Sequence, residues 1–183
     1  MIRRRASPPG DPSCIPLARG TYREVFVEGG MCVKSLLPYR ERRYPPHVVL
    51  LHPMQDYLKH KFGIDDLNLF ELDNYRRFFS DAGAGVEGRF ARILDVDDDC
   101  SRMELIRDFD GSVSRSLKDY GRVQSGGFWD AMREVKRFVQ ERRIPLFDLN
   151  ECNVLVQRLD ERRLVPVLID YKHVGPQLFP YQF

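Results

Sequence analysis

The sequence predicts an α+β domain built on antiparallel sheets, and three observations carry the prediction. Apolar alternation in "YREVFVE", a Gly29-Gly30 turn and "MCVKSLL" make an early hairpin. "FWDAMREVKRFVQERR" sets Phe128, Met132, Val135, Phe138 and Val139 on one helical face. "NVLVQRL" and "LVPVLID", joined by a charged "DERR" turn, make a second hairpin late in the chain. Strands cluster apart from helices, with antiparallel pairing expected in both sheet regions.

Element by element, residues 1–14 are basic, then Pro-rich, with no apolar stretch behind them, and read as a flexible arm. Residues 15–183 are expected to form one domain. "IPLARGTYREVFVEGGMCVKSLL" holds two or three strands. The connection over 38–64 is broken by Pro38, Pro45, Pro46 and Pro53 and reads as irregular, with a short helix near its end. In "IDDLNLFELDNYRRFFSDAG", Leu67, Phe70, Tyr75, Phe78 and Phe79 recur at near-helical spacing. Asp65 or Asp66 can cap that helix, and Gly83 lies just past its end. "GRFARILDVDDDCSRMELIRDFDG" reads as two strands joined at an acidic turn. The "DVDDD" cluster lacks the spaced ligands of a calcium loop, so a solvated turn is the better reading. "SVSRSLKDYG" holds a short helical turn before the long helix.

Composition bounds the function. A hydrophobic fraction of 43% with 12 Phe supports a real core and argues against wholesale disorder. Net charge is +2 with 31% charged residues, which gives no push toward nucleic acid or a membrane surface. No run approaches the ~18 apolar residues of a membrane span. Cys14, Cys32, Cys100 and Cys152 are scattered without a C-x-x-C pair, as reduced thiols of a cytoplasmic protein would be. His47 and His52 are poorly spaced for a shared metal.

The polar positions around the late hairpin are more informative. Asp148 and Asn153 lie in "PLFDLNECNVLV" just before one strand, and Asp170 ends the next. In an antiparallel pair the start of one strand lies beside the end of the other, so Asn153 and Asp170 are expected as neighbours. Oxygen donors of this kind suit Mg²⁺. Asp148, one loop away, is placed to accept a proton from a hydroxyl. Taken singly, each has a plainer reading as a turn cap, a loop closure or a strand end.

Together, "FDLNECNVLV" and "VLIDYKHVG" resemble the catalytic loop and metal-binding segment of the protein-kinase-like fold. The resemblance implies Asp148 as the base and Asn153 and Asp170 as the magnesium ligands. It also implies Lys34, in "CVKSL", as the lysine on the α- and β-phosphates of ATP, and Glu71 as its helix partner. In the glycine-rich loop only Gly20 matches, before Val25, with Ala18 and Arg23 at the outer glycine positions. "MELIRDFDG" resembles the hinge, where backbone groups of Glu104 and Ile106 would meet adenine. Leu146, Asn150 and Lys172 depart from the usual kinase residues. Few residues follow Asp170, so an abbreviated C-lobe without an activation segment or peptide-docking helices is expected. On this reading the N-lobe spans 15–105 and the C-lobe 106–183.

Similar segments also occur in RIO-type atypical kinases. Over the whole chain, "GTYREVFV", "CVKSL", "DFDGS", "VKRFVQERRI", "LNECNVLV" and "VPVLID" resemble the YrbL family, described as PhoP regulatory network proteins. That resemblance implies a compact kinase-like protein of bacterial regulation, using ATP and Mg²⁺ to phosphorylate a hydroxyl acceptor or itself. The alternative is a non-catalytic nucleotide-binding regulator, a pseudokinase that acts through a protein partner. A nucleic-acid-binding module, suggested by "MIRRRA" and "YRERRY", is disfavoured by the near-balanced charge.

Overall fold

The computed structural model describes residues 15–20, 22–38, 41, 67–83, 85–97, 99–144 and 149–171. The expected arm, most of the 38–64 connection with its short helix, and the capping Asp65 and Asp66 lie outside the described residues. The fold is mixed α+β, and contacts divide it into two units. One takes the described residues up to Phe70 with Ile93–Glu104, and the other takes Glu71–Arg92 with the described residues from Leu105 onward.

The first unit is a five-stranded antiparallel sheet. Its strands are β1 (Ile15–Arg19), β2 (Arg23–Glu28), β3 (Met31–Leu36), β4 (Ile93–Val96) and β5 (Cys100–Glu104), in the order β1-β2-β3-β5-β4. The β2–β3 turn opposes Glu28 to Met31 across Gly29 and Gly30, whose φ angles are 57° and 79°. Two successive positive φ values match the twist of the strands they join, and glycine takes them without a Cβ penalty. Phe26, Val33 and Cys100 form a buried cluster in this sheet.

The acidic turn between β4 and β5 is closed by its own aspartate. Asp97 Oδ1 accepts the N–H groups of Asp99 and Cys100 at 3.0 and 2.8 Å, and Arg102 Nη1 donates to Oδ2 at 2.9 Å. Burial pushes the Asp97 carboxyl up, but these hydrogen bonds outweigh it and hold it below the usual carboxylate value. Burial and the neighbouring Asp97 push the Cys100 thiol up to about 12. Among the described residues no three His, Cys, Asp or Glu side chains gather as a metal cluster.

The second unit carries a three-stranded antiparallel sheet in the order β6-β7-β8, of β6 (Arg115–Ser116), β7 (Val154–Arg158) and β8 (Leu164–Leu168). The two-residue β6 has too little pattern to be read from sequence. It forms because Arg115 and Ser116 pair with Val156 and Leu155. Segment 89–91 runs along the other edge of β8, with Ala91 N–H donating to Leu168 O at 2.9 Å and Leu168 N–H to Arg89 O at 2.8 Å.

The unit's short helix α2 (Leu117–Tyr120) and long helix α3 (Gly126–Glu141) begin at Ser116 and Ser125, each of which accepts a backbone N–H as cap. Phe128 of α3 is fully buried against Val123, Val154 and Val156, and Met132 packs on the same cluster. The expected apolar stripe of α3 is therefore the one that faces the sheet, with Ala131 joining it.

The other helix, α1 (Leu67–Phe78), behaves differently, and the division between the units falls within it. Its buried positions are Leu72 and Tyr75 together with the polar Asn68, Glu71 and Asn74, and Phe79 follows them. Leu67, Phe70 and Phe78, which recur at near-helical spacing in the sequence, are only half-buried, and Leu69 is 48% exposed. Apolar spacing misjudged this face because polar side chains with hydrogen-bonding work occupy it. Among the described residues no helix is long and apolar enough to cross a membrane.

Candidate functional site

In the second unit the register of the β7–β8 hairpin decides the geometry. Val154 opposes Leu168, so the residue before β7 lies beside the residue after β8. Ile169 N–H donates to Asn153 O at 3.2 Å, and Asp170 is the next residue along. Asn153 and Asp170 therefore stand at one end of the hairpin, as the spacing predicts, and both are half-buried. The loop into Asn153 is closed by Asn150, whose Oδ1 accepts Cys152 N–H at 2.8 Å and whose carbonyl accepts Asn153 N–H at 3.0 Å. An asparagine suits this loop because it can close a turn with its own side chain.

Tyr171 anchors the other side of the pair. It is fully buried, with ring centroids 5.3 Å from Tyr75 and 4.9 Å from Phe79. Its hydroxyl lies 2.8 Å from Ala91 O and 2.9 Å from Leu168 O, so its single proton serves one carbonyl at a time. Its backbone is held at both ends by α1. Tyr171 N–H donates to Glu71 Oε1 at 3.2 Å, and Asn74 Nδ2 donates to Tyr171 O at 2.8 Å. A wholly buried carboxylate needs such partners. Glu71 thus touches the residue next to Asp170, which places three of the expected site residues, Glu71, Asn153 and Asp170, around one strand end. Asn74 and Tyr171 were missed from sequence. The available signal was the i, i+3 spacing of Glu71 and Asn74, which sets the two polar side chains on one side of the helix.

The remaining expected residues are described in their own units. Lys34 lies on the central strand β3, buried, opposite Val25 of β2 and Ser101 of β5. Directly opposed residues share a face, so Val25, Lys34 and Ser101 line the same side of the sheet. Gly20 follows β1, and its N–H donates to Arg23 O at 2.8 Å, closing the β1–β2 turn. Glu104 ends β5 opposite Met31 and is half-buried. Ile106, in the second unit, is buried, and its carbonyl accepts Ser114 N–H at 3.0 Å. Asp148 lies outside the described residues, as do Leu146 and Lys172.

The donor set at the hairpin end fits a hard divalent cation. A carboxamide and a carboxylate offer oxygen only, and their partial exposure leaves room for the waters that Mg²⁺ retains. Asn153 and Asp170 are the residues that would hold it.

An antiparallel five-stranded sheet bearing a buried lysine, followed by a hairpin that pairs an asparagine with an aspartate, is the protein-kinase-like fold. Solved structures of low identity share it. WbdD, crystallised with a kinase inhibitor, superimposes with a TM-score of 0.52 at 17% identity, over 88% of this chain and 33% of that one. The Rio2 kinase from Chaetomium thermophilum, in an ADP/Mg²⁺-phosphoaspartate complex, gives a TM-score of 0.52 at 12% identity, over 91% of this chain and 50% of that one. The chain thus spans about a third of WbdD and half of Rio2. No protein-family model and no curated protein matches it, so the likeness to the YrbL family rests on the quoted motifs alone.

Proposed function

We propose that the protein binds ATP with Mg²⁺ and transfers the terminal phosphoryl group to a hydroxyl acceptor or to itself. The observation that supports this most is the hairpin register that sets Asn153 beside Ile169 and Asp170. On this reading Asp148 takes the proton of the attacking hydroxyl, which general bases contribute at about 10²–10⁴-fold in rate. Lys34 orients the α- and β-phosphates, and Glu71 holds Lys34 while it fixes the Tyr171 backbone. Bound Mg²⁺ would supply neutralising charge on the phosphates. Gly20 and Val25 border the phosphates, and Glu104 and Ile106 border the adenine. A cytoplasmic setting and a regulatory role of the YrbL kind accompany the proposal.

A second reading has an observation of its own. Ala18 and Arg23 stand where a glycine-rich loop has glycines, which favours nucleotide binding without transfer, as in a pseudokinase acting through a protein partner. One experiment separates the two. Thermal shift with ATP should show stabilisation that needs Mg²⁺ and disappears in Asp170→Ala. Labelled γ-phosphate transfer should then fall by about 10²–10⁴-fold in Asp148→Ala. Mg²⁺-dependent binding without transfer in wild type selects the pseudokinase. Binding indifferent to Mg²⁺ and to Asp170 removes both.

A further inference from the structure

The second unit contains a cleft of about 480 Å³ lined by Leu117, Lys118, Gly121, Arg122, Trp129 and Glu151, with Val123 beneath. That volume lies within the roughly 300–1,000 Å³ range of small-molecule sites. Its aromatic wall is held in place, because Trp129 Nε1 donates to Val123 O at 3.0 Å while the ring stays 40% exposed. Its floor is tied to the loop of Asn150 and Asn153, because Lys118 N–H donates to Glu151 O at 3.1 Å. The other charges of this stretch are engaged elsewhere. Asp119 accepts from Ser116, and Arg115 lies over the Tyr120 ring at 5.2 Å. The Lys118, Arg122 and Glu151 side chains, by contrast, make no ion pair or hydrogen bond with another described residue and are exposed on the cleft.

We propose that this cleft binds a phosphorylated sugar. Two cations flanking Gly121 match a phosphate dianion, to which charge-assisted hydrogen bonds are strong. The electron-rich indole face suits the weakly positive C–H face of a sugar ring. The Glu151 carboxylate accepts hydrogen bonds from sugar hydroxyls, whereas its charge repels the phosphate dianion itself. Each of the three chemistries answers a different part of one small molecule. The site's position beside the 149–153 loop makes the occupant a candidate phosphoacceptor; that role rests on the proposed transfer, whereas the binding does not.

Trp129 is the chain's single tryptophan, so intrinsic fluorescence reports on this cleft without labelling. Glucose-6-phosphate, titrated without nucleotide or Mg²⁺, should change the emission saturably. Binding should be about tenfold weaker in Lys118→Ala and in Arg122→Ala, each of which removes one charge-assisted contact. Glu151→Gln should weaken binding of the sugar phosphate but should not weaken any response to inorganic phosphate. Circular dichroism checks that these surface variants fold. No response in folded wild type, an equal response to inorganic phosphate, or a response indifferent to Arg122→Ala overturns the proposal. Because nucleotide is absent, none of these results bears on the kinase reading.

Discussion

Helix α3 buries Phe128, Ala131 and Val135, whereas helix α1 buries Asn68, Glu71 and Asn74 beside Leu72 and Tyr75. Both helices have an inward side, but they use it for different ends. The α3 face is interchangeable hydrophobic volume, and its worth lies in area removed from water. The α1 face holds polar groups whose burial is costly, and Glu71 and Asn74 offset that cost through fixed partners. Two of those partners, the N–H and the carbonyl of Tyr171, belong to the residue that follows Asp170. A helix with a polar buried face is thus a positioning device, and a helix with an apolar one is a scaffold.

That contrast can be broken most forcefully at Phe128. Phe128→Ala leaves a cavity in the Val123–Val154–Val156 cluster and should cost about 3–5 kcal/mol in urea unfolding. Surviving folded molecules should keep their Mg²⁺-dependent response to nucleotide. A cost below about 1 kcal/mol would mean that α3 is not the scaffold its packing indicates.

A smaller effect is expected on α1, with a sharper functional signature. Glu71→Ala and Asn74→Ala each leave one buried Tyr171 backbone group unsatisfied, at about 1–3 kcal/mol. Their stabilities should fall together, but only Glu71→Ala should abolish nucleotide-linked stabilisation. Equal loss in both variants would reduce Glu71 to a structural residue. Equal retention would do the same.

The smallest effect sits away from both helices, at the edge of β7. Arg158 Nε donates to Asp108 Oδ2 at 2.6 Å, and its Nη2 pairs with Asp110. Burial pushes Asp108 up, but hydrogen bonds from Ser114 and Arg158 outweigh it and hold the carboxyl below its usual value. Hydrogen bonds from the Ser112 hydroxyl and N–H, with Arg158 beside them, hold Asp110 down at about 2. A depressed folded-state pKa means stability that is complete above the unfolded value of about 4 and is lost as pH falls through the folded one. Wild type should therefore lose stability between about pH 4 and pH 2 more steeply than Asp110→Asn, as urea midpoints across that window will show. Parallel curves would mean that the clasp carries no linkage.

Much of this molecule was legible before any coordinates. Apolar alternation and the Gly29-Gly30 turn defined β2 and β3, and the stripe of α3 defined its packing face, because both signals are local and repeat with the backbone period. The hairpin of β7 and β8 was equally plain, and with it the juxtaposition of Asn153 and Asp170. Asp148 was legible as a motif residue, but it lies outside the described residues.

What escaped the sequence was decided at long range. The two-residue β6 exists only because β7 offers it an edge. The polar face of α1 is buried because Tyr171, 100 positions away from Glu71, brings it an N–H. The cleft at Trp129 depends on Glu151, in the loop before β7, meeting Lys118 of the short helix α2. The sequence by itself determined which segments are strands and helices and which end of the late hairpin is polar, since periodicity and strand pairing are properties of neighbouring residues. Only the tertiary structure decided which buried polar groups are satisfied and by whom, because a hydrogen bond between distant segments leaves no periodic trace in the chain.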